Sequence, residues 1–320
     1  MSQAQPEAIS RVGVVGTGTI GAGWAALFLA HGLEVAAWDP APGAEGGLRA
    51  AVRDAWPSLE RLGLEPGADP ARLSFAPSLE AAVACAQFVQ ESAPEREELK
   101  VALFAGIDAA APADAVISTS TSSIPVSRLQ IRCRRPGRCV LGHPFNPPHL
   151  VPLVEVAGGE ATDAAAVERA MAFYRAVGKH PIRLRREIES HIANRLQGAL
   201  WREAIHLVAE GVGSVADVDA CIAYGPGLRW ALMGPFLTFH LGGGAGGLEG
   251  FFDHFGPHIE RGWERLGTPE LTPELRRRIV EGVEAEAGDR DIARLARERD
   301  ACLVAMLEAL ARCREGNGAG

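Results

Sequence analysis

The segment VGVVGTGTIGAGWAALFLA, residues 12–30, carries the strongest indication of the fold. It begins as an apolar run typical of a buried strand, passes through the pattern G-x-G-x-x-G at Gly16, Gly18 and Gly21, and continues with helical periodicity. In such a turn the first glycine permits a sharp bend, the second admits a pyrophosphate close to the backbone, and the third lets the helix pack on its strand. The stretch therefore predicts the first strand, turn and helix of a dinucleotide-binding fold.

An acidic residue supports this interpretation. The next predicted strand, LEVAAWD, ends at Asp39. A carboxylate there accepts hydrogen bonds from the adenosine ribose and repels a 2′-phosphate, and the Pro-Ala-Pro-Gly that follows brings no arginine. We therefore predict NAD rather than NADP as the cofactor, with the backbone amides of Thr19 and Ile20 facing its phosphates. The alternative is a glycine-bearing turn and a strand-end aspartate that hold no ligand.

The two halves of the chain differ in pattern. Up to residue 189, strand-like and helix-like runs alternate, which is typical of a parallel sheet with crossover helices. From Ser190 onward the apolar residues keep helical spacing. The predicted fold class is α/β: a doubly wound Rossmann-type parallel sheet over residues 1–189, followed by a smaller all-helical domain over residues 190–320. The helical half has more apolar surface than one Rossmann face can cover, so we expect a homodimer through it.

Composition limits the partners and the location. Of 320 residues, 47% are hydrophobic and 22% are charged, and the formal net charge is −8. Such a surface repels nucleic acid and anionic membranes on average, which leaves a small-molecule substrate as the expected partner. The start of the chain is polar and has no signal-like pattern, so we expect a cytoplasmic protein. Six cysteines without a C-x-x-C pair predict buried thiols and no metal site.

A histidine and a glutamate stand out in the segment HPFNPPHLVPLVEV, residues 143–156. Hydride transfer to a nicotinamide needs a group that takes the alcohol proton, and a neutral imidazole suits this task. His143 closes a strand that follows the cofactor half, and Glu155 lies on the next extended run, where a carboxylate could hold the second ring nitrogen. The alternative is a strand-end histidine with an unrelated exposed glutamate.

Seven separated motifs resemble, in order, the L-3-hydroxyacyl-CoA dehydrogenase family. They are GTGTIG (16–21), STSTSS (118–123), GHPFNPP (142–148), VEV (154–156), GKHP (178–181), NRL (194–196) and MGPF (233–236). The resemblance covers about residues 11–240. It implies an NAD-binding domain followed by a helical domain for substrate binding and dimerisation.

The resemblance also implies roles for individual residues. His143 would be the catalytic base and Glu155 its orienting partner. Ser122 would bind the substrate hydroxyl and also border the cofactor, and Asn194 would complete the catalytic site. Lys100, in the ELK that follows QESAPE, would lie near the nicotinamide side of the cofactor, and Glu95, the last residue of QESAPE, would also bind the cofactor.

Departures from the family pattern point to the substrate. Where the acyl-CoA enzymes read approximately D-T-P-G-F, this chain has EIESH at 187–191, and the run GPGLRWALMGPF introduces Arg229. These features resemble a branch whose members oxidise free 3-hydroxy acids such as carnitine or gulonate. A free carboxylate needs a fixed cation, and an arginine can bind it through two hydrogen bonds, so Arg229 is the predicted partner. A surface arginine near a domain joint is the alternative.

The predicted function is NAD-dependent oxidation of a free 3-hydroxy acid to the 3-oxo acid. Five aromatic residues of the helical half could receive the trimethylammonium group of carnitine or could simply be core: Trp201, Trp230, Phe239, Phe252 and Trp263. One competing hypothesis is a dehydrogenase of short-chain CoA thioesters. Another is a catalytically silent NAD-binding structural or sensor protein.

Overall fold

A single eight-stranded sheet forms the first part of the protein, and the computed structural model describes residues 9–316. The strands are β1 (Arg11–Val15), β2 (Glu34–Trp38), β3 (Leu73–Phe75), β4 (Phe88–Glu91), β5 (Val116–Thr119), β6 (Cys139–Pro144), β7 (Leu153–Gly158) and β8 (His180–Arg183). Their order is β3-β2-β1-β4-β5-β6-β7-β8. The strand order reverses between β1 and β4, and in open α/β sheets the crevice at such a point, outside the carboxyl ends of the strands, is where ligands bind.

Two apolar clusters enclose the sheet. The helices of this part are α1 (Thr19–Ala30), α2 (Ala44–Leu62), α3 (Leu79–Val83), α4 (Glu97–Ala110), α5 (Val126–Leu129) and α6 (Ala164–Ala176). One cluster holds buried residues of α1, α2 and α6, and the other those of α3, α4 and α5. Strand residues alternate between the clusters, as Val14 and Val15 do, because successive side chains of a strand point to opposite faces. The predicted doubly wound fold class is confirmed.

The sheet departs from a fully parallel arrangement at one place. Strands β1 to β6 pair in parallel, whereas β7 runs antiparallel to β6, and β8 runs parallel to β7. A parallel crossover takes a dozen or more residues, and only residues 145–152 connect β6 to β7. The short connection therefore returns the chain directly, and it places His143 opposite Glu155 in the register.

The second part is helical. Its helices are α7 (Ile192–Ala209), α8 (Val215–Ala223), α9 (Pro226–Trp230), α10 (Pro235–Gly242), α11 (Gly247–Trp263), α12 (Pro273–Ala287) and α13 (Ile292–Gly316). By its contacts the chain divides after Asn194, and residues 300–308 of α13 belong with the sheet. The sequence placed the boundary a few residues earlier, between 189 and 190, and assigned all of the last helix to the helical domain. We call residues 195–299 the helical unit.

Several apolar and thiol side chains lie at the surface of the chain. The five aromatic residues considered above as possible core are all exposed, from Trp230 at 42% to Trp201 and Trp263 at 65%. The expectation of buried thiols was wrong for four cysteines, Cys85, Cys221, Cys302 and Cys313, which are exposed. Within residues 9–316, no helix has the length and apolarity needed to cross a membrane.

A buried lysine holds the connection between β6 and β7. The Lys179 Nζ donates hydrogen bonds to the carbonyls of Pro148 and Val151, the latter at 2.7 Å, and lies 5.1 Å from the centre of the Trp24 ring. Burial lowers the pKa of Lys179 to about 7. A neutral amine still has two N–H donors, so both carbonyls remain paired when the proton leaves.

We expect Lys179→Met to change how stability depends on pH. Between pH 7 and about 10 the unfolded chain keeps the lysine proton and the folded chain releases it, so the free energy of unfolding rises with pH. Wild type should therefore gain stability relative to the variant over this range, by at most about 1.4 kcal/mol per pH unit. Denaturant unfolding at several pH values measures the difference. Equal slopes in the two proteins would contradict a neutral buried lysine.

Candidate active site

The glycine turn after β1 has the geometry that its sequence predicts. Gly16 adopts a φ of 87°, and a Cβ built there would lie 2.7 Å from the Ala93 nitrogen. A Cβ at Gly21 would lie 1.9 Å from the Gly16 carbonyl oxygen, so a side chain at either place would force the turn apart. A Cβ at Gly18 would meet no atom within 4 Å. The space over the turn is therefore open at the place where a pyrophosphate would lie.

A cavity of about 580 Å³ extends from this turn. Five of the residues predicted to bind the cofactor line it: Gly16, Gly18, Thr19, Ile20 and Asp39. The Asp39 carboxylate accepts hydrogen bonds from the Thr17 amide at 2.8 Å and from the Ala41 amide at 2.9 Å. Apolar walls, an open glycine turn and a fixed carboxylate at the end of the next strand fit an adenine dinucleotide without a 2′-phosphate.

The predicted cofactor residue Lys100 forms a buried ion pair that the sequence did not reveal. Its Nζ lies 2.8 Å from Glu91 Oε1 and 3.7 Å from Glu95 Oε2, and its side chain is 1% exposed. Thr119 Oγ1 donates to the other oxygen of Glu91 at 2.6 Å. A buried charge requires such a partner. An acid at the end of the buried strand β4 was the signal that could have identified Glu91.

Glu95 organises the loop that carries Ser122. Its Oε1 accepts hydrogen bonds from Thr121 Oγ1 at 2.6 Å and from the amides of Ser122 and Ser123 at 3.0 Å each. Burial opposes ionisation of Glu95, but these hydrogen bonds and the charge of Lys100 outweigh it, so the pKa of Glu95 lies below its ordinary value. The ionised carboxylate thus fixes the backbone at Ser122.

The two residues singled out in the β6–β7 segment form a buried pair. His143 Nδ1 lies 2.9 Å from Glu155 Oε2, and the other carboxylate oxygen accepts from the amides of Ile192 at 2.8 Å and Ala193 at 3.0 Å. Burial opposes ionisation of Glu155, but these donors keep its pKa below the ordinary value. Because an ionised carboxylate only accepts hydrogen bonds, His143 carries its proton on Nδ1. The His143 Nε2 is then an acceptor, as a general base requires.

Asn194 brings the predicted catalytic residues together. Its Nδ2 lies 3.5 Å from His143 Nε2 and 3.4 Å from the Ser122 carbonyl oxygen. A group bound beside Asn194 therefore lies within reach of the basic nitrogen. Arg229, the remaining predicted substrate residue, lies exposed in α9 of the helical unit.

His191 is a part of the site that the sequence analysis did not assign. It precedes α7 with a φ of 51°, its Nε2 lies 3.0 Å from the Thr121 carbonyl oxygen, and its ring centre lies 5.0 Å from that of His143. Burial lowers the pKa of His191 and so favours its neutral form. The departure EIESH at 187–191 was noted only for its bearing on the substrate, although it also marked this histidine.

Comparison with known proteins identifies the family. Residues 11–188 match the 3-hydroxyacyl-CoA dehydrogenase NAD binding domain, and residues 191–283 match the C-terminal domain of the same family. The chain belongs to the 3-hydroxyacyl-CoA dehydrogenase family. It is therefore an NAD-dependent dehydrogenase, and the resemblance inferred from the seven motifs is confirmed.

Individual relatives and solved structures agree with this assignment. An L-carnitine dehydrogenase of Streptomyces griseus is 54% identical over 96% of this chain and 92% of its own length, and one of Pseudomonas aeruginosa is 50% identical over 97% of each chain. The crystal structure of 5-formyl-3-hydroxy-2-methylpyridine 4-carboxylic acid 5-dehydrogenase, an NAD-dependent dismutase, superposes with a TM-score of 0.76 and 28% identity, over 95% of this chain and 99% of that one. FadB2 of M. tuberculosis gives a TM-score of 0.65 and 30% identity, over 86% and 95% of the chains.

We expect His143→Ala and His143→Asn to lower turnover by about two to four orders of magnitude, the usual contribution of a positioned general base. NAD binding should stay nearly unchanged, because His143 is not among the residues predicted to bind the cofactor. Glu155→Gln should lower turnover by a smaller factor, since the imidazole then loses only its orientation and the charge that stabilises the imidazolium. His180→Ala, at an exposed site in β8, is the matched control. Steady-state kinetics measures turnover in each variant. Wild-type turnover in the His143 variants would contradict the role of His143 as the base.

Proposed function

We propose that the protein oxidises a free small 3-hydroxy acid to the 3-oxo acid, and that this acid is L-carnitine. The observation that carries the proposed chemistry is the buried His143–Glu155 pair, whose free nitrogen faces Asn194. The substrate is supported by the L-carnitine dehydrogenases that are similar to this chain over nearly its whole length.

In the proposed mechanism, the residues around His143 hold the alcohol and His143 takes its proton. When bound, NAD would supply the acceptor for the hydride that leaves the carbon carrying the hydroxyl. Asn194 and Ser122 donate hydrogen bonds to the substrate oxygen and orient it toward His143, whose Nε2 takes the hydroxyl proton as the carbonyl forms. Glu155 keeps the other ring nitrogen protonated and stabilises the imidazolium.

The proposed cofactor contacts fall into two groups, one that lines the cavity and one beyond it. The glycine turn with Thr19 and Ile20 receives the pyrophosphate, and Asp39 accepts hydrogen bonds from the adenosine ribose. At the nicotinamide end we place Glu95, Lys100 and Ser122. The network around Glu95 supports this placement, because it links the residues of that end through hydrogen bonds and an ion pair.

Recognition of the two charged groups of the substrate is proposed to involve the helical unit. Arg229 would bind the carboxylate through two hydrogen bonds, which a CoA thioester cannot form because it has no charge at that end. The trimethylammonium group would lie against aromatic faces, which attract cations. The exposed aromatic residues of the helical unit, Trp201 and Trp230 among them, supply such faces.

We also propose that the protein is a homodimer through the helical unit. Large apolar side chains are exposed along this unit: Leu200, Leu228, Leu232, Phe236, Leu237, Leu241 and Phe255 join the aromatic residues already named. Apolar surface of this kind marks subunit contacts. A cytoplasmic location, and the exclusion of nucleic acid and membranes as partners, stay predictions from the sequence.

A turnover assay with NAD tests the substrate. We expect activity with L-carnitine to exceed that with gulonate, 3-hydroxybutyrate and 3-hydroxybutyryl-CoA.

Arg229→Met should raise the Michaelis constant for the free acid about ten- to a hundredfold, because a charge-assisted hydrogen bond contributes about 1.5–3 kcal/mol. Arg229→Lys should recover part of the loss, since an ammonium gives a charge without the planar fork.

The matched control is Arg261→Met, which removes another exposed arginine of the helical unit. It should leave the Michaelis constant unchanged. The chain would instead be assigned to the acyl-CoA enzymes by two results together. Wild type would prefer the CoA thioester over every free acid, and Arg229→Met would leave activity with both kinds of substrate unchanged.

The dimer is tested by sedimentation velocity at micromolar concentration. We expect one species of about twice the chain mass of 33.8 kDa. Trp263→Glu and Phe236→Glu, which place charges on the exposed apolar surface, should shift the protein toward a monomer. A wild-type monomer under these conditions would refute the proposed assembly.

A further inference from the structure

A network of polar side chains connects the interior of the sheet to the cofactor cavity. It links α1 to strands β4 and β5 and to α6, and its members are Trp24, Gln90, Ser92, Ser118, Ser120 and Tyr174. The first strand-to-helix unit and the strands beside it are thus joined by hydrogen bonds as well as by apolar packing. Ser92, at the outer end of the network, lines the cavity.

The hydrogen-bond directions around Gln90 follow from the Gly142 carbonyl oxygen, which can only accept and lies 3.4 Å from Gln90 Nε2. The Tyr174 hydroxyl donates to Gln90 Oε1 at 2.6 Å, so the Gln90 amide nitrogen is the donor that lies 2.9 Å from Ser120 Oγ. Trp24 Nε1 can only donate, and it lies 3.2 Å from the same oxygen. Both acceptor positions of the Ser120 hydroxyl are therefore occupied.

This arrangement decides the role of Ser92. A hydroxyl has one proton and two lone pairs. Because Ser120 accepts from Trp24 and Gln90, its own proton goes to Ser92 Oγ at 2.9 Å. Ser92 is thus an acceptor toward Ser120, and its own proton remains for a partner on the cavity side, where the residue is half-buried.

The sheet order tells which part of the cofactor Ser92 would meet. Asp39 follows β2 and Ser92 follows β4, and these strands flank β1, whose carboxyl end leads into the glycine turn. The Ser92 amide donates to the Val15 carbonyl at 2.7 Å, which places Ser92 beside that turn. With the adenosine ribose at Asp39 and the pyrophosphate at the turn, the nicotinamide half extends past β4.

We propose that Ser92 is a cofactor-binding residue whose hydroxyl donates a hydrogen bond to an acceptor oxygen in the nicotinamide half of NAD. The position of the contact rests on the proposed placement of the adenosine ribose at Asp39. The network sets the hydroxyl as a donor before the cofactor arrives, so little rotational freedom is lost on binding.

Binding measurements on the purified protein test this proposal without turnover. Ser92→Ala should raise the dissociation constant for NAD about three- to tenfold, the range for a neutral hydrogen bond. The dissociation constant for AMP, which lacks the nicotinamide half, should stay within about twofold of wild type. Titration calorimetry for NAD, and displacement of NADH fluorescence for AMP, give both values.

The matched control is Ser118→Ala, which removes the same atom from the opposite end of the network. Ser118 Oγ lies 2.7 Å from the Tyr174 hydroxyl and is buried in the sheet. Its loss should lower the melting temperature but leave NAD affinity unchanged. An equal loss of NAD affinity in Ser118→Ala and Ser92→Ala would show a general structural effect and overturn the proposal.

Further outcomes decide the remaining points. Wild-type NAD affinity in Ser92→Ala, or an equal loss of AMP and NAD affinity, would also overturn the proposal. If the alanine variant folds poorly, Ser92→Cys replaces the hydroxyl with a slightly larger thiol, which is only a weak donor. This variant should bind NAD at least about twofold less tightly, and wild-type affinity would contradict the contact. Asp39→Ala should weaken AMP and NAD alike, and unchanged AMP affinity there would refute the orientation, separately from the contact itself.

Discussion

The buried carboxylate of Glu155 is the interaction on which the rest of the site depends. One oxygen accepts the His143 Nδ1 proton, and the other accepts the amides of Ile192 and Ala193 at the start of α7. A carboxylate at the first amides of a helix is stabilised by the helix dipole as well as by hydrogen bonds. The same charge thus selects the tautomer of the proposed base, joins β7 to α7, and brings Asn194 close to His143 Nε2. Its burial is tolerated only because all of these donors are present.

The local features of the fold could be predicted from the sequence, because neighbouring residues determine them. The turn at Gly16, the open space at Gly18 and the acid at Asp39 belong to one strand-turn-helix-strand unit, and the structure has this geometry. The pairing of His143 with Glu155 could also be predicted, since the two residues lie twelve positions apart with prolines between them. Their direct opposition needed the antiparallel register of β6 and β7, which the alternating pattern alone did not reveal.

The residues that the sequence missed depend on strands distant along the chain. The pairing of β4 with β5 places Glu91 beside Thr119, and α4 brings Lys100 into contact with the Glu91 carboxylate. Ser92 is proposed to bind the cofactor because Trp24 and Gln90 occupy both acceptor positions of the Ser120 hydroxyl, which follows β5. No periodic pattern in the sequence predicts such contacts between distant strands. For Arg229, the proposed role rests on the charge of the substrate, and the structure shows the residue exposed in α9.

The charge balance around the base explains why a second histidine can lie against it. In the proposed mechanism His143 becomes an imidazolium when it takes the substrate proton, and a charged neighbour 5.0 Å away would oppose that step. Burial lowers the pKa of His191, so this ring stays neutral while His143 changes its charge. Its Nε2 must then carry the proton, since the facing Thr121 carbonyl can only accept one. One positive charge therefore forms beside Glu155, not two, and the same neutral ring holds the backbone that leads to Ser122.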